Sequence, residues 1–531
     1  MIRRMMIALA LLMAPAAAQA DWYEAKSANF IVYSDGSEQD ARDFAAKLEH
    51  FHYVLRVYHG IRTPASPNRL RVFLLSTISA VGRMAGSDFV AGYYVNDARA
   101  QLLVGTRGRA TRSNDIRSGR NESEIDAESI LLHEYAHHFM HHYFPATYPT
   151  WYQEGFAEFW GATRFLPNNV VEVGRPVNFR FQSFQAARWL TVRQLLSAQN
   201  YADVPEVDLL YAEGWLLVRY TFENRERHQQ LQRYLALING GKSYAEAAAE
   251  AFGDLQRLNS ELFSYAGRAR FNVLQLPFRE LPTGEIALRT LRPAEQALLV
   301  HEIRLAQGSI SQREIGDFAS DVRQIGARFP DDPFALALLT EVERLAGNRA
   351  AAEAAATRWV AAAPRDGRAL MYQSLLRIDD LRASATTDQA SWSAARQPLL
   401  RANQLTPNDP LILEAYYDSF ALQNVLPPEA AQNALYTAME LAPGDDDLRY
   451  KVAHDFERRD MIPEAIAIIR PAAYRLPLRD SESAGERRRR EAREDRERQA
   501  GRTRRETARE MLARLEARLS ASRPQPAPAT R

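Results

Sequence analysis

One stretch, residues 129–145, reads SILLHEYAHHFMHHYFP and contains five of the chain's eleven histidines within a span of ten residues. Within it, His133, Glu134 and His137 form the pattern HExxH. Residues four apart lie one above the other on a helix, so the imidazoles of His133 and His137 can share one metal ion. Glu134 lies beside them and can reach a water on that metal. The pattern predicts a hydrolytic metal site of the zinc type, which needs a third protein ligand.

His141 is one candidate for the third ligand, because it lies on the same helical stripe as His137. Three ligands in line along a straight helix cannot converge on one ion, since successive turns rise about 5.4 Å. In the pattern HExxHxxGxxH a glycine bends the chain, but here Met140 stands at that position and Tyr143 replaces the last histidine. His141 is therefore disfavoured. We expect the histidines outside HExxH to be wet or hydrogen-bonded surface residues, namely His138, His141 and His142.

Glu154 is the second candidate, in the stretch PTWYQEGFAEFWG. Pro145 and Pro149 interrupt the chain, so a second helix can run back against the first one. Glu154 would then face His133 and His137. Glu158 lies one turn further along the same face, where it could accept the second N–H of a ligand histidine and fix its tautomer. A surface acid is the alternative interpretation for either glutamate.

The order HEYAH and then WYQEGFAEF resembles the gluzincin zinc peptidases, the thermolysin-like and aminopeptidase-like group. It is most similar to bacterial proteins of the peptidase-MA-like superfamily that join such a domain to tetratricopeptide repeats. The resemblance implies Zn²⁺ as cofactor, with His133, His137 and Glu154 as metal ligands and Glu134 as general base. It implies a zinc metallopeptidase, a hydrolase that cleaves a peptide or protein substrate with a metal-activated water.

The stretch LLYAEGWLLVRY resembles the helix of the aminopeptidase-like enzymes whose tyrosine donates a hydrogen bond to the tetrahedral intermediate. That residue would be Tyr211, which would stabilise charge as it develops. A core tyrosine on an amphipathic helix is the alternative. The region that should hold the substrate's amino terminus reads VAGYYVND and contains no glutamate, so we expect an endopeptidase. Residues 89–95 and 101–105 are predicted strands that could pair with an extended peptide.

The elements that must carry this site are predicted in two parts. Residues 21–105 alternate strands, such as NFIVYS and RLRVFLLS, with a helix that Ser37 caps, and a hairpin turns at Asn96 and Asp97. Residues 106–275 are mainly helical and hold the zinc-binding residues. At the start of this second part, residues 106–120 are rich in arginine and lack periodicity. They are predicted to be a mobile loop that could gate the cleft.

A repeat follows, marked by Pro330, Pro364, Pro407, Pro443 and Pro477 at spacings of 34, 43, 36 and 34 residues. Each of the first four begins a similar segment, for example PDDPFALALL and PNDPLILEAY. This period resembles the tetratricopeptide repeat, a helix–turn–helix unit that stacks into a solenoid. The spacing of 43 implies an insertion around SATTDQASW. We predict an all-α solenoid that binds substrate or a protein partner, with an irregular helical domain as the alternative.

The chain begins with Arg3 and Arg4, a short apolar run and AQA ending at Ala20, which is typical of a cleaved secretory signal. A retained N-terminal anchor is the alternative. We therefore expect a bacterial protein that is periplasmic or secreted, with no transmembrane segment in the mature chain. The chain has no cysteine, so packing and a metal rather than disulfides must hold it together. Its formal net charge of +1 gives no drive toward nucleic acid.

The predicted fold is an α+β zincin-like peptidase domain followed by an all-α tetratricopeptide-type solenoid and a charged C-terminal helix. The divisions are a signal peptide (1–20), a mixed α/β part (21–105), a helical zinc-binding part (106–275), repeats (276–478) and a tail (479–531). In the tail, arginine and glutamate alternate at helical spacing, which favours a solvated helix before a Pro-rich disordered end. A basic patch at residues 487–490 for an acidic partner is the alternative.

Two functions remain open on these patterns. The first is an exported zinc peptidase whose repeats bind substrate or partner. The second is a non-catalytic tetratricopeptide scaffold with a vestigial metal-binding domain. The intact Glu134 argues for the first, because an inactive relative could lose that acid. A chaperone for outer-membrane assembly that works through the repeats is compatible with either.

Overall fold

The computed structural model describes residues 21–85, 90–107, 109–111, 124–176, 189–198, 203–205, 207–267, 271, 274–308, 310–475 and 506–521. The predicted signal peptide, most of the arginine-rich stretch and most of the charged tail lie outside these residues. Within them, every helix is too short or too polar to cross a lipid bilayer.

Strands and helices alternate at first, and of the residues described after 290 those with regular structure are helical. The strands are β1 (Tyr23–Lys26), β2 (Phe30–Ser34), β3 (Leu70–Leu75), β4 (Gly92–Asn96), β5 (Gln101–Thr106), β6 (Arg109–Thr111), β7 (Glu124–Asp126), β8 (Arg164–Leu166), β9 (Val170–Val173), β10 (Leu274–Pro277) and β11 (Ala287–Thr290). The helices before β11 are α1 (Glu38–Tyr58), α2 (Ile78–Ala85), α3 (Ala127–Tyr143), α4 (Thr150–Gly161), α5 (Val192–Ser197), α6 (Val207–Glu223), α7 (Arg225–Asn239), α8 (Tyr244–Phe252) and α9 (Leu255–Ala266).

The later helices are α10 (Pro293–Ala306), α11 (Ile315–Gly326), α12 (Pro333–Leu345), α13 (Arg349–Ala362), α14 (Gly367–Ala383), α15 (Gln389–Leu405), α16 (Pro410–Leu422), α17 (Glu429–Leu441), α18 (Asp446–Arg458), α19 (Ile462–Arg475) and α20 (Ala508–Ala521). Ser37 caps α1 with a complete capping box, as its position before the periodic run predicts.

The main sheet has six strands in the order β11-β1-β2-β3-β5-β4. Its centre, β2-β3-β5, is parallel, and Val32, Val72 and Leu103 lie in register there with no exposed surface. Helices α1 and α3 cover one face, and α2 and α10 cover the other. Both faces are therefore buried, which is why the central strands are almost continuously apolar. The edge next to β5 is formed by β4, which pairs with it as the predicted hairpin.

The structure differs from the sequence-based division at residue 276. Strand β11 lies beyond that boundary but pairs with β1 and completes the main sheet. Strand β10 pairs with β9 in a three-stranded sheet with β8. Hydrogen bonding of backbone groups thus assigns residues up to 290 to the first domain. Before α3, β6 pairs with β7, so the arginine-rich stretch includes one side of a hairpin rather than loop alone. The rest of that stretch, residue 108 and residues 112–120, lies outside the described residues.

The repeat prolines mark the start of every second helix. Pro330, Pro364, Pro407 and Pro443 each precede the first residue of a helix by three positions, at α12, α14, α16 and α18. Each of these helices packs against the next one along the chain as a helical hairpin. The insertion implied by the spacing of 43 lengthens both α14 and α15 to 17 residues, whereas the neighbouring helices have 13 or 14. Pro477 lies outside the described residues.

The charged helix α20 is not fully solvated. Its apolar face is buried against α19, with Met511 and Leu515 showing no exposed surface. Arg514 and Arg518 of α20 form ion pairs with Glu457 and Asp460. The i,i+4 charge pattern predicted the helix, but a buried stripe of leucine and methionine ties it to the last repeat.

Candidate metal centre

Helix α3 presents two different faces. Leu131, Leu132 and Phe139 are buried in the main core. His133 and His137 are on the opposite side and are half-buried, facing α4. The chain returns through Pro149, which stands at the N-cap of α4, so that α4 packs back against α3. The proline-marked turn therefore produces the predicted pair of helices.

Three donor atoms meet between these helices. The Nε2 atoms of His133 and His137 are 3.1 Å apart, and each lies 3.4 Å from Oε2 of Glu154. In a tetrahedral zinc site with bonds of about 2.0–2.1 Å, neighbouring donor atoms are about 3.3 Å apart. The three atoms thus form a triangle of the size of one tetrahedral face. Across the described part of the chain, no other set of three potential ligand side chains comes together in this way.

The charges around the triangle suit a divalent cation. Burial alone would lower the pKa of His133, but its hydrogen bond to Glu154 and the charge of Glu158 raise that pKa to about 9. Burial would raise the pKa of Glu154, but the two histidines hold it well below its ordinary value. The carboxyl groups of Glu154, Glu158 and Glu134 therefore surround the two imidazoles. Two imidazoles and a carboxylate are also the ligand set that zinc prefers, so the residues fit this ion.

Glu158 and Glu134 lie around the triangle without belonging to it. Oε1 of Glu158 is 3.7 Å from Nδ1 of His133, on the side of the ring that faces away from Glu154. Its place is the one predicted for an acid that orients a ligand histidine. Glu134 is half-buried beside the edge strand, and burial raises its pKa while His133 and His137 lower it.

Tyr211 is brought to the same place by α6. Its ring is stacked with that of His133, with ring centroids 6.4 Å apart and an interplanar angle of 23°. Tyr211 is half-buried, unlike its core neighbours Leu209, Leu210 and Ala212. This position is that of a residue at the edge of the site rather than of a core tyrosine.

Two close helix contacts set the geometry. Helices α4 and α6 cross at Gly155 and Gly214. A Cβ on Gly155 would collide with the carbonyl group of Gly214, and a Cβ on Gly214 would collide with the carbonyl oxygen of Trp151. A Cβ on Gly161 would lie 2.9 Å from Cα and Cβ of His133, so the end of α4 also touches α3 directly. These glycines were not predicted from the sequence as part of the site. Their signal was present, because Glu-Gly occurs at 154–155 in α4 and again at 213–214 in α6.

The remaining histidines do not join the triangle. His141 is stacked with His137, with centroids 6.4 Å apart, one turn further along α3. His138 was predicted to be a surface residue, but it is buried and shares a hydrogen bond of 2.7 Å with the hydroxyl of Tyr94. The reason is that α3 is covered on this side by the sheet, where burial holds the pKa of His138 well below its ordinary value. His142 is stacked with it, and burial lowers the pKa of His142 to about 4.

No protein-family model and no curated protein sequence matches the chain. Several solved structures are similar to it, among them the following three. A thermophilic TPR protein of Thermus thermophilus is 18% identical, over 38% of this chain and 98% of that one, with a TM-score of 0.30. PilF of Pseudomonas aeruginosa is 16% identical over 43% and 93% (TM-score 0.28), and yeast Tom70 is 13% identical over 57% and 62% (TM-score 0.26). TM-scores this low carry no argument, so the evidence for the repeat architecture is the series of helical hairpins in this structure.

Proposed function

We propose that the chain is an exported zinc-dependent endopeptidase whose repeats hold a substrate or a protein partner. The triangle of His133 Nε2, His137 Nε2 and Glu154 Oε2 carries the proposal, because its sides of 3.1–3.4 Å match one face of a tetrahedral zinc site. Three ligands leave the fourth position open, which is typical of catalytic rather than structural zinc.

Zinc bound there would act as a Lewis acid that polarises the scissile carbonyl and acidifies water. The chain's own residues supply the rest. Glu134 is the general base: its carboxylate takes a proton from the attacking water and delivers it to the leaving amine nitrogen. Tyr211 donates its phenolic hydrogen to the carbonyl oxygen as negative charge develops there.

The position of the edge strand β4 supports a role in substrate binding. A Cβ on Gly92 would lie 3.7 Å from Cγ of Glu134, so β4 passes directly beside the general base. An extended peptide can add to a sheet edge through main-chain hydrogen bonds, and such pairing selects no particular terminus. This supports cleavage within a chain rather than removal of one terminal residue.

A second candidate is a non-catalytic scaffold with a metal-binding domain. The helical hairpins of α12 to α19 favour it, because stacked hairpins of this kind provide extended protein-binding surfaces. The two functions differ in what they require of Glu134, which a scaffold does not need.

The test is to measure zinc in the purified protein and peptide cleavage by the wild type and by Glu134→Gln. The proposal expects one zinc per chain in both, and cleavage of a broad peptide library that falls about 10²–10⁴-fold in the variant. If zinc is stoichiometric but neither protein cleaves any peptide, the scaffold function is favoured. If no zinc binds even after reconstitution, the metal site itself is refuted.

A further inference from the structure

The turn between β4 and β5 is held by the repeats. Its backbone N–H at Ala98 donates a hydrogen bond of 2.6 Å to Oδ2 of Asp445, across 347 residues of sequence. Asp445 is the N-cap of α18, and its other carboxylate oxygen accepts from Asp447 N and Leu448 N. One carboxylate therefore both begins a repeat helix and binds the hairpin.

The turn is also buried in an apolar surface. Ala98 is only 5% exposed and belongs to one core cluster with Leu413, Tyr417 and Leu448. These three side chains lie on α16 and α18, the first helices of two successive repeats. We call the surface formed by Leu413, Tyr417, Asp445 and Leu448 the socket.

Polar contacts extend on both sides of the socket. Arg99 forms an ion pair with Glu341 of α12, and Nε2 of Gln101 donates to the carbonyl oxygen of Leu441 at 3.3 Å. The side-chain amide of Asn96 packs directly on Gly444, where even one Cβ would collide with it. The hairpin thus contacts residues from three repeats along the face made by their first helices.

The other repeats show what is different at Asp445. The equivalent N-cap aspartates of the other repeats also accept a hydrogen bond, but there a side chain donates it. The donor belongs to the repeat region or is the residue that precedes α10. Asp332 accepts from Arg292, Asp366 from Trp359 Nε1 and Asp409 from Arg368. At Asp445 this role belongs to the backbone of another domain. The socket is therefore a specific modification of the repeat pattern.

The opposite end of the same strand reaches the candidate active site. The hydroxyl of Tyr94 in β4 forms a hydrogen bond with Nδ1 of His138 in α3. Gly92 of the same strand lies close to Ile130 and Glu134. Strand β4 consequently spans from the general base to the repeats over five residues. A shift of the turn would be transmitted along it, because a strand of this length is nearly rigid.

We propose that the socket fixes the position of β4 relative to Glu134, and that Asp445 is a positioning residue for substrate binding. This inference rests on the proposed peptidase function for its effect on cleavage. The occupant of the socket is the chain's own hairpin, so this part of the repeat face is not a site for an external partner.

A disulfide trap tests whether the hairpin occupies the socket. Because the chain has no cysteine, the double variant Asn96→Cys, Gly444→Cys contains a single possible pair. We expect the pair to oxidise completely in the folded protein, and we expect the oxidised form to retain cleavage. Failure to form the disulfide would refute the socket in solution. Cleavage that stops on oxidation and returns on reduction would also overturn the proposal, because the hairpin would then have to leave the socket.

A second test separates positioning from stability. Asp445→Ala is compared with Asp366→Ala, which removes the same kind of helix cap from α14 without touching the hairpin. Both should lower the melting temperature by a similar amount. Only Asp445→Ala should raise KM, about tenfold or more, with zinc content unchanged. Equal effects of the two variants on KM would overturn the positioning role.

Hydrogen exchange makes the outcome independent of catalysis. Amides of β4 should exchange faster in Asp445→Ala than in Asp366→Ala, even if no peptide substrate is ever cleaved. Faster exchange of β4 would therefore support the socket even if the protein cleaves no peptide. Unchanged exchange of β4 would refute the socket even if the protein is a peptidase.

Discussion

Gly155 of α4 and Gly214 of α6 touch backbone to backbone, and Cα of Gly155 would lie 3.4 Å from a Cβ on Gly214. Glu154 precedes the first glycine, and Tyr211 lies almost one turn before the second. The contact therefore brings a candidate metal ligand and a candidate oxyanion donor to the same side of the crossing. Close approach of the two helices is possible only because both residues lack a side chain.

Gly155→Ala is expected to destabilise the fold. The added methyl group meets the backbone of Gly214, which cannot move without shifting α6, so the free energy of unfolding should fall by about 2–3 kcal/mol. Gly316→Ala is the matched control, because a Cβ there meets no atom within 4 Å. The control should gain about 0.5–1 kcal/mol. Urea unfolding measures both, and equal midpoints for wild type and Gly155→Ala would contradict the crossing.

Glu158→Gln should weaken zinc binding without abolishing it. The carboxylate lies 3.7 Å from Nδ1 of His133, where it favours the tautomer whose Nε2 can bind metal. Loss of such a partner typically lowers metal affinity about 10–100-fold. The affinity is measured by competition with a chelating dye.

Glu172→Gln provides the control for this loss of charge, because Glu172 is an equally buried acid that pairs with Arg175 away from the triangle. Its zinc affinity should equal that of the wild type. A Glu158→Gln variant that binds zinc as tightly as Glu172→Gln would show that Glu158 has no influence on the histidine.

Local patterns predicted much of this structure. Helix α3, the cap at Ser37, the hairpin at Asn96 and the repeat starts after Pro330 and Pro407 all follow from spacing within a few residues. The triangle itself was predictable. The HExxH spacing puts both histidines on one face of a helix, and the proline-marked turn brings Glu154 back against that face.

Contacts between distant segments were not predictable in the same way. Strand β11 pairs with β1, which lies more than 250 residues earlier in the sequence. The hydrogen bond from Ala98 to Asp445 joins two segments whose sequence periodicity gives no sign of the contact. His138 was misplaced for a related reason. Its burial depends on the sheet that covers α3, and helical periodicity reports only which residues share a face.

Tyr211→Phe should reduce kcat and leave KM nearly unchanged. The phenol acts only on charge that develops in the transition state, and loss of one such donor typically lowers kcat about 10²–10³-fold. Tyr220→Phe is the control on the same helix, because the Tyr220 hydroxyl donates to Glu261 at 3.1 Å and not toward the site. The control should retain full kcat. Equal kcat values for the two variants would remove Tyr211 from the mechanism.

His59 makes stability depend on pH. Its ring lies among Phe139, Phe144, Phe156 and Trp160, at centroid distances of 5.3–5.9 Å, and burial lowers its pKa to about 4. In the unfolded chain the pKa is about 6.5, so the fold binds the proton less well than the unfolded chain does. Its contribution to stability is therefore complete above about pH 6.5 and is lost as the pH falls toward 4. Between about pH 7 and pH 5 the loss is about 2 kcal/mol.

His59→Phe should remove this dependence, because a phenylalanine ring fills the same aromatic site and takes up no proton. The variant should gain stability relative to the wild type as the pH is lowered, by about 2 kcal/mol at pH 5 compared with pH 7. Urea unfolding of both proteins at the two pH values gives this difference. Zinc bound at the triangle contributes equally to both proteins, so its own pH dependence cancels. Parallel stability curves for the two proteins would mean that His59 is protonated in the fold or solvated, contrary to its aromatic surroundings.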